Sequence, residues 1–147
     1  MPFPGRLALI QRVLPSYRVP FFDALASACT GGLTLLAGQP RPDEAIVTAA
    51  QLRITNYQFA HNVHFGSVSS PLYACYQRGV TGWLERENPA ALIVEANFRY
   101  LSSPAAIRWM KKRGRPVIGW GLGAPASRGR SEEHTSELHS RQVISYA

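Results

Sequence analysis

Apolar residues recur along this chain in short continuous runs, separated by stretches with helical spacing. Four runs have the length of a strand, and they cover residues 6–11, 33–37, 91–95 and 116–120. A continuous apolar run of this length is typical of a strand that is covered on both faces, as in a parallel sheet. A fifth, partly exposed strand is predicted over residues 55–65, with Tyr57, Phe59 and Val63 on one face.

Helices are predicted between these strands from the residues that start and stop them. Pro20 suits the first turn of a helix that the glycines at 31 and 32 end. Ser70 with Pro71 predicts a second helix that runs to Asn88, and Ser103 with Pro104 predicts a third that Gly114 ends. Residues 43–52 are predicted to hold one or two helical turns. Strands that alternate with helices indicate an α/β protein with a Rossmann-like parallel sheet and helices on both faces.

Charge and composition narrow the class of protein. The chain has 16 basic and 9 acidic residues, a formal net charge of +7. This balance favours anionic partners such as nucleotide phosphates, anionic lipid or nucleic acid, without choosing among them. No run approaches the ~20 apolar residues that span a bilayer, and the first residues lack a signal-peptide pattern. Cys29 and Cys75 have no metal-ligand spacing, which favours a reduced, cytoplasmic setting.

Three loops follow the carboxyl ends of predicted strands, where open parallel sheets bind their ligands. The first, residues 12–19, lies beside a helix N-terminus that attracts anions. The second, residues 95–100, joins a carboxylate, an amide and a guanidinium just past a buried strand, and the third is rich in glycine. The candidate binding residues on these loops are Tyr17, Arg18, Glu95, Asn97, Arg99, Gly121 and Gly123.

Each candidate also has a structural interpretation. Arg18 could lie on the surface, Glu95 could cap the next helix or pair with Arg99, and Asn97 and Arg99 could only shape the turn. His61 and His64 point to opposite faces of a strand, so no metal site is predicted. The glycines at 119–123 follow a late strand, whereas a dinucleotide-binding motif follows the first strand. No cofactor is therefore predicted.

The chain resembles the N-terminal half of bacterial GT-B glycosyltransferases over nearly all of residues 6–125. The segments that carry the resemblance are LPSYRVPFFDALA, GGLTLLAGQPRP and YQRGVTGWLERENPAALIVEANFRYLSSPAAIRWMKKRGRPVIGWGLGAP. In that family two Rossmann-like domains face each other across a cleft. The N-terminal domain mainly binds the acceptor, and the C-terminal domain holds most of the sugar-nucleotide site. Here residues 14–17 replace the glycine-rich turn that usually follows the family's first strand.

The resemblance implies an enzyme that transfers a sugar from a nucleotide-sugar donor to a glycan or lipid-linked acceptor, without a bound metal. The seven candidate residues would orient the acceptor or allow its close approach, and Glu95 is a candidate general base. The basic residues Lys111, Lys112, Arg113 and Arg115 could form only a solvated helix end, or they could contact an anionic membrane peripherally at its cytoplasmic face. Nucleic acid is not expected as a partner. The alternative is a stand-alone, non-catalytic ligand-binding module of flavodoxin-like topology.

The last residues resemble the translation of a common short-read sequencing adapter. Residues 130–140 match it except at His139, and the final four residues, ISYA, match a later part of it. We therefore expect residues 1–129 to be an incomplete, inactive glycosyltransferase domain with a net charge of +8. Residues 130–147 are expected to be a disordered tail that packs against nothing.

Overall fold

The first strand lies at the centre of the sheet, because almost every residue in it is apolar or buried. In the computed structural model, which describes residues 1–67 and 69–121 and the backbone of Ile144–Ser145, this strand pairs in parallel with its neighbours on both sides. The strands are β1 (Leu7–Val13), β2 (Leu33–Gly38), β3 (Asn56–Phe59), β4 (Asn62–Phe65), β5 (Ala74–Gln77), β6 (Ala91–Glu95), β7 (Val117–Trp120) and β8 (Ile144–Ser145). The helices are α1 (Val19–Ser27), α2 (Val80–Glu87) and α3 (Ser103–Lys111), and a short 3-10 helix covers Ser16–Arg18.

The main sheet has the strand order β3-β2-β1-β6-β7-β8, and its first five strands are parallel. Alternate residues of β1 and β2 point to opposite faces, so the sheet has two cores. Leu9 and Leu35 belong to the core under α1, whereas Ile10 and Leu36 belong to the core under α2 and α3. The prediction of a Rossmann-like parallel sheet with helices on both faces is confirmed. The order 3-2-1 on one side of β1 also differs from the 2-1-3 order of flavodoxin-like folds.

The predicted strand over residues 55–65 is wrong as a single element, because the chain divides it between two sheets. Its first part is β3, at the edge of the main sheet, and its second part is β4, which pairs antiparallel with β5. The break falls after Phe59, where the amide of Ala60 still donates to the carbonyl of Ala37 at 2.9 Å. The hairpin β4–β5 therefore begins directly beside the carboxyl end of β2.

The predicted helix from Ser70 to Asn88 is also wrong in its first half. Residues 74–77 form β5, and α2 begins only at Val80. The physical reason is an alternation of buried side chains, since Tyr73, Cys75 and Gln77 are buried while Tyr76 is exposed. Period-two burial fits a strand and not a helix.

The connection from β2 to β3 has turns and bends in place of the predicted helical turns at residues 43–52. Its backbone is satisfied by pairing with the chain after β1. The amide of Ser16 donates to the carbonyl of Val47 at 2.9 Å, and the amide of Ala49 donates to the carbonyl of Leu14 at 3.0 Å. This connection therefore lies against the carboxyl end of β1, next to the expected site.

The expectation that the last eighteen residues pack against nothing does not hold for two of them. Ile144 and Ser145 form β8, which pairs antiparallel with Ile118 and Val117 of β7. The contact is a two-residue backbone ladder at the edge of the sheet.

Candidate functional site

From β1 the chain adds β2 and then β3 on one side of the sheet, whereas β6 and β7 lie on the other side of β1. The chain leaves β1 through α1 on one face and reaches β6 through α2 on the other face. Outside the carboxyl ends of two such strands the connections diverge, and a crevice forms where α/β proteins bind their ligands. Gln11 and Arg12 lie at this end of β1, and Glu95 is the last residue of β6.

Glu95 bridges the two strands at this crevice. Its carboxylate accepts a hydrogen bond from the backbone amide of Arg12 at 2.8 Å, and its side chain is half-buried. Burial raises the pKa of Glu95, and the Arg12 amide and the charges of Arg18 and Arg12 only partly oppose that rise. A carboxylate with a raised pKa accepts a proton more readily than a surface carboxylate does, which suits a general base.

Arg18 reaches the same crevice from the start of α1. Its guanidinium donates to the side-chain oxygen of Gln11 at 2.8 Å and lies 5.1 Å from the ring centre of Trp120. Gln11 is only 1% exposed, and its side-chain nitrogen has no hydrogen-bond partner among the described residues. The crevice thus holds a guanidinium, a buried amide donor and a carboxylate within one small region.

Aromatic rings surround Arg18 on the α1 side. Tyr17, whose ring centre is 5.6 Å from the Arg18 guanidinium, is 73% exposed. Phe21 is also exposed, and its ring centre lies 5.6 Å from that of Trp120. Exposed rings beside polar donors can pack against the apolar face of a bound molecule while the donors orient it.

The loop after β6 has a shape that Asn97 helps to fix. The Asn97 side chain accepts a hydrogen bond from the amide of Arg99 at 3.0 Å, and its carbonyl accepts one from the amide of Tyr100 at 3.1 Å. Asn97 therefore has the turn-shaping role that its sequence position left open. The guanidinium of Arg99 lies 5.6 Å from the ring centre of Phe98. The backbone carbonyl of Arg99 accepts a hydrogen bond from the amide of Cys75.

A cavity of about 380 Å³ opens beside this loop, on the α3 side of the sheet. Glu95 contributes to this cavity as well as to the crevice with Arg18. The cavity is lined by Val94, Glu95, Ala96, Asn97, Phe98, Tyr100, Ser103, Pro104, Ile107, Lys111, Val117 and Gly119. Burial, and next the charge of Glu95, raises the pKa of Tyr100 to about 12, so its hydroxyl stays protonated and can donate.

A buried ion pair beside the crevice joins the end of β1 to the β2–β3 connection, and it was not predicted from the sequence. The guanidinium of Arg12 donates to both carboxylate oxygens of Glu44 at 2.7 and 2.6 Å, and the two side chains are only 11% and 10% exposed. Asn62 donates to the Arg12 carbonyl at 2.8 Å. The ion pair therefore joins the β2–β3 connection to β1, and the Asn62 bond joins the hairpin to the backbone of the same residue. Its sequence signal was weak, because Arg12 was assigned to a loop and Glu44 to a segment without clear periodicity.

Two further candidates have less structural support. Gly121 directly follows β7 and is exposed, and Gly123 lies outside the described residues. His64 contacts the hydroxyl of Tyr73 at 3.0 Å, and the described residues contain no group of three or more side chains suited to a metal ion.

Comparisons with protein-family models, with curated proteins and with solved structures give no match. None of the helices in the described ranges has both the length and the apolar character that are needed to cross a membrane. The fold and the site together define a doubly wound α/β domain whose polar residues converge at its switch point.

Proposed function

We propose that this chain is the acceptor-side domain of a GT-B glycosyltransferase. The observation that carries the proposal is the meeting of Arg18 and Glu95 at the switch point of the sheet, on two of the loops that the resemblance selects. A nucleotide-sugar donor would be held mainly by a second domain across the cleft, and this chain would bind a glycan or lipid-linked acceptor.

The reaction requires an acceptor hydroxyl to attack the anomeric carbon as the bond to the nucleoside diphosphate breaks. Glu95 would accept the hydroxyl proton. The support for this role is that burial raises the pKa of Glu95 and that the backbone amide of Arg12 holds one of its carboxylate oxygens. Arg18 and the unpaired amide nitrogen of Gln11 supply donors that orient the acceptor. Fixing the hydroxyl in line with the anomeric carbon is a large part of the catalysis that such a site can supply.

The test is a binding experiment on the 147-residue chain, with neutral glycans, lipid-linked sugars and nucleotide sugars as separate probes. We expect acceptor-type probes to bind and to shift the NMR signals of Arg18 and Glu95, and nucleotide sugars to be neither bound tightly nor consumed. Arg18→Ala should weaken acceptor binding about tenfold.

Arg53→Ala is the matched control, because Arg53 is exposed ahead of the amino end of β3, at the opposite end of the sheet from the crevice. It should leave acceptor binding unchanged. Tight nucleotide binding without acceptor binding would favour a stand-alone ligand-binding module, and sugar transfer by the chain alone would contradict the division of labour between two domains.

A further inference from the structure

The residues that line the cavity on the α3 side differ in polarity from one part of it to another. Its walls are apolar where Val94, Ile107 and Val117 face one another. One end is formed by the loop that carries Glu95 and Tyr100. Since α3 rises about 1.5 Å per residue, Ser103 near that end and Lys111 at the other are separated by about 12 Å.

Among the described residues that line this cavity, Lys111 is the only basic one. It has no carboxylate partner among residues 1–67 and 69–121, and it is exposed at the end of α3. Two neighbours in the basic cluster, in contrast, donate side-chain hydrogen bonds to other groups of the protein. Arg113 donates to the carbonyl of Trp109 at 3.2 Å, and Arg115 donates to the side chain of Asn88 at 2.7 Å.

The charges at the two ends give a bound molecule one favourable orientation. Ionised Glu95 repels an anion at its end of the cavity, whereas Lys111, at the far end of α3 from Ser103, attracts one. Between these ends the apolar walls can contact C–H groups and exclude water. The tyrosine hydroxyl and the carboxylate at the Glu95 end match the donors and acceptors of sugar hydroxyls.

We propose that this cavity binds a glycosyl phosphate, with the sugar at the Glu95 end and the phosphate on Lys111. The inference rests on the proposed function, because it makes this cavity the acceptor site and gives the acceptor an anionic group. The phosphate could belong to a soluble sugar phosphate or to the headgroup of a lipid-linked sugar, since both present the same chemistry to Lys111.

The experiment measures binding of four kinds of probe to the full chain by NMR titration. They are the 1-phosphates of glucose, galactose and mannose, the corresponding neutral methyl glycosides, inorganic phosphate, and a short-chain isoprenyl phosphate sugar. The test variant is Lys111→Glu, and the matched control is Lys112→Glu, which changes the same charge at the next exposed residue outside the cavity.

We expect at least one sugar phosphate to bind more tightly than its methyl glycoside, and Lys111→Glu to weaken it about tenfold. Lys112→Glu should weaken it less than twofold, and neither variant should alter binding of the methyl glycoside. If the isoprenyl probe binds more tightly still, and Ile107→Asp removes that gain, the phosphate belongs to a lipid headgroup. Equal binding of both phosphates would show that the lipid chain adds no contact with the cavity, and it would favour a soluble sugar phosphate.

Three results would overturn the inference. Equal losses in the two lysine variants would show unspecific attraction to a basic surface. Binding of methyl glycosides with no gain from the phosphate would remove the role of Lys111 but leave the proposed function intact. Absence of binding by any sugar probe would count against both.

Discussion

At the scale of single residues, the most constrained feature is the buried pair of Arg12 and Glu44. Hydrogen bonds from Arg12 lower the pKa of Glu44. Burial alone would lower the pKa of Arg12, but the hydrogen bond to Glu44 raises it above its ordinary value. Because removal of one partner leaves the other charge buried, Glu44→Gln should destabilise the fold by about 3 kcal/mol. Melting curves at neutral pH should show a drop of roughly 10 °C.

The same pair predicts how stability depends on pH. A carboxylate whose pKa is lowered in the folded state stabilises the fold above its unfolded pKa, 4.5 for this residue. That stabilisation is lost as the pH falls through the lower folded pKa. The wild-type melting temperature should therefore fall more steeply below pH 4.5 than that of Glu44→Gln. Asp43→Asn is the control, because the Asp43 side chain is 64% exposed and should contribute little. Equal acid sensitivity in the Glu44 variant and the wild type would show that the pair is not what responds to pH.

The contribution of Glu95 to stability should depend on pH in the opposite direction. Its pKa is raised by burial, so its contribution to stability is fully present below the unfolded pKa of 4.5 and is lost as the pH rises through the folded value. We expect Glu95→Gln to keep or raise the melting temperature at pH 7 while it abolishes acceptor binding. If Glu95 serves function at a cost to stability, its variant should be stable but should no longer bind the acceptor. A large loss of stability with unchanged binding would instead make Glu95 a structural strand link.

At the scale of elements, the sequence predicted the strands and helices whose burial is simple. β1, β2 and β6 are continuous apolar runs, and α3 begins at Ser103 with a proline at its start. The hairpin was missed because Ser70 and Pro71 imitate a helix start, and because β5 has only four residues. The alternation of Tyr73, Cys75 and Gln77 was the available signal. It was outweighed by apolar residues at helical spacing, such as Leu72 and Tyr76, which are exposed in the fold.

The boundary between the hairpin and α2 depends on Gly79, so substitutions there test where α2 begins. Gly79 has φ of 78°, a left-handed conformation that costs other residues about 1–2 kcal/mol. A Cβ at Gly79 would meet nothing within 4 Å, so the effect of Gly79→Ala is confined to the backbone. We expect Gly79→Ala to lower the melting temperature by about 5 °C.

Gly82, inside the same helix, is the matched control. A Cβ there would meet only the flexible end of Arg86 at 3.7 Å, so Gly82→Ala should stabilise the helix by up to about 1 kcal/mol. Opposite signs for the two substitutions would support a helix that begins after Gly79. A stabilising effect at both positions would mean that the helix extends back through Gly79, as the sequence pattern suggested.

At the scale of the whole molecule, the candidate site was predictable only in part. Loop positions after strands selected Arg18 and Glu95, because strand order places the carboxyl ends of β1 and β6 side by side. Gln11 was assigned to the strand and Arg12 to the start of the first loop. Neither was selected, because their partners, Gln77 and Glu44, are distant in sequence. Periodicity identifies what is buried, but it does not indicate which buried polar groups meet across the fold.

The distribution of charge over the whole molecule leads to the last prediction. The net charge of +7 should draw the chain to anionic membranes, and each basic residue near such a surface contributes about 1 kcal/mol. In the basic cluster at the end of α3, the side chains of Arg113 and Arg115 donate hydrogen bonds to other groups of the protein. The side chains of Lys111 and Lys112 are exposed and make no such bond among the residues that the structure describes. In flotation assays we therefore expect binding to vesicles with anionic lipid at low salt, release at high salt, and little binding to neutral vesicles.

The double variant Lys111→Glu with Lys112→Glu should abolish most of this binding, because it reverses the charge of the two exposed lysines in the cluster. A second double variant, Arg53→Glu with Arg78→Glu, makes the same change in net charge at exposed residues elsewhere. If attraction depended on net charge alone, the two variants would lose binding equally. A loss confined to the α3 variant would instead orient the cavity opening at Lys111 toward the lipid surface, where a phosphate headgroup could enter it. Equal binding to neutral and anionic vesicles would contradict the electrostatic contact altogether.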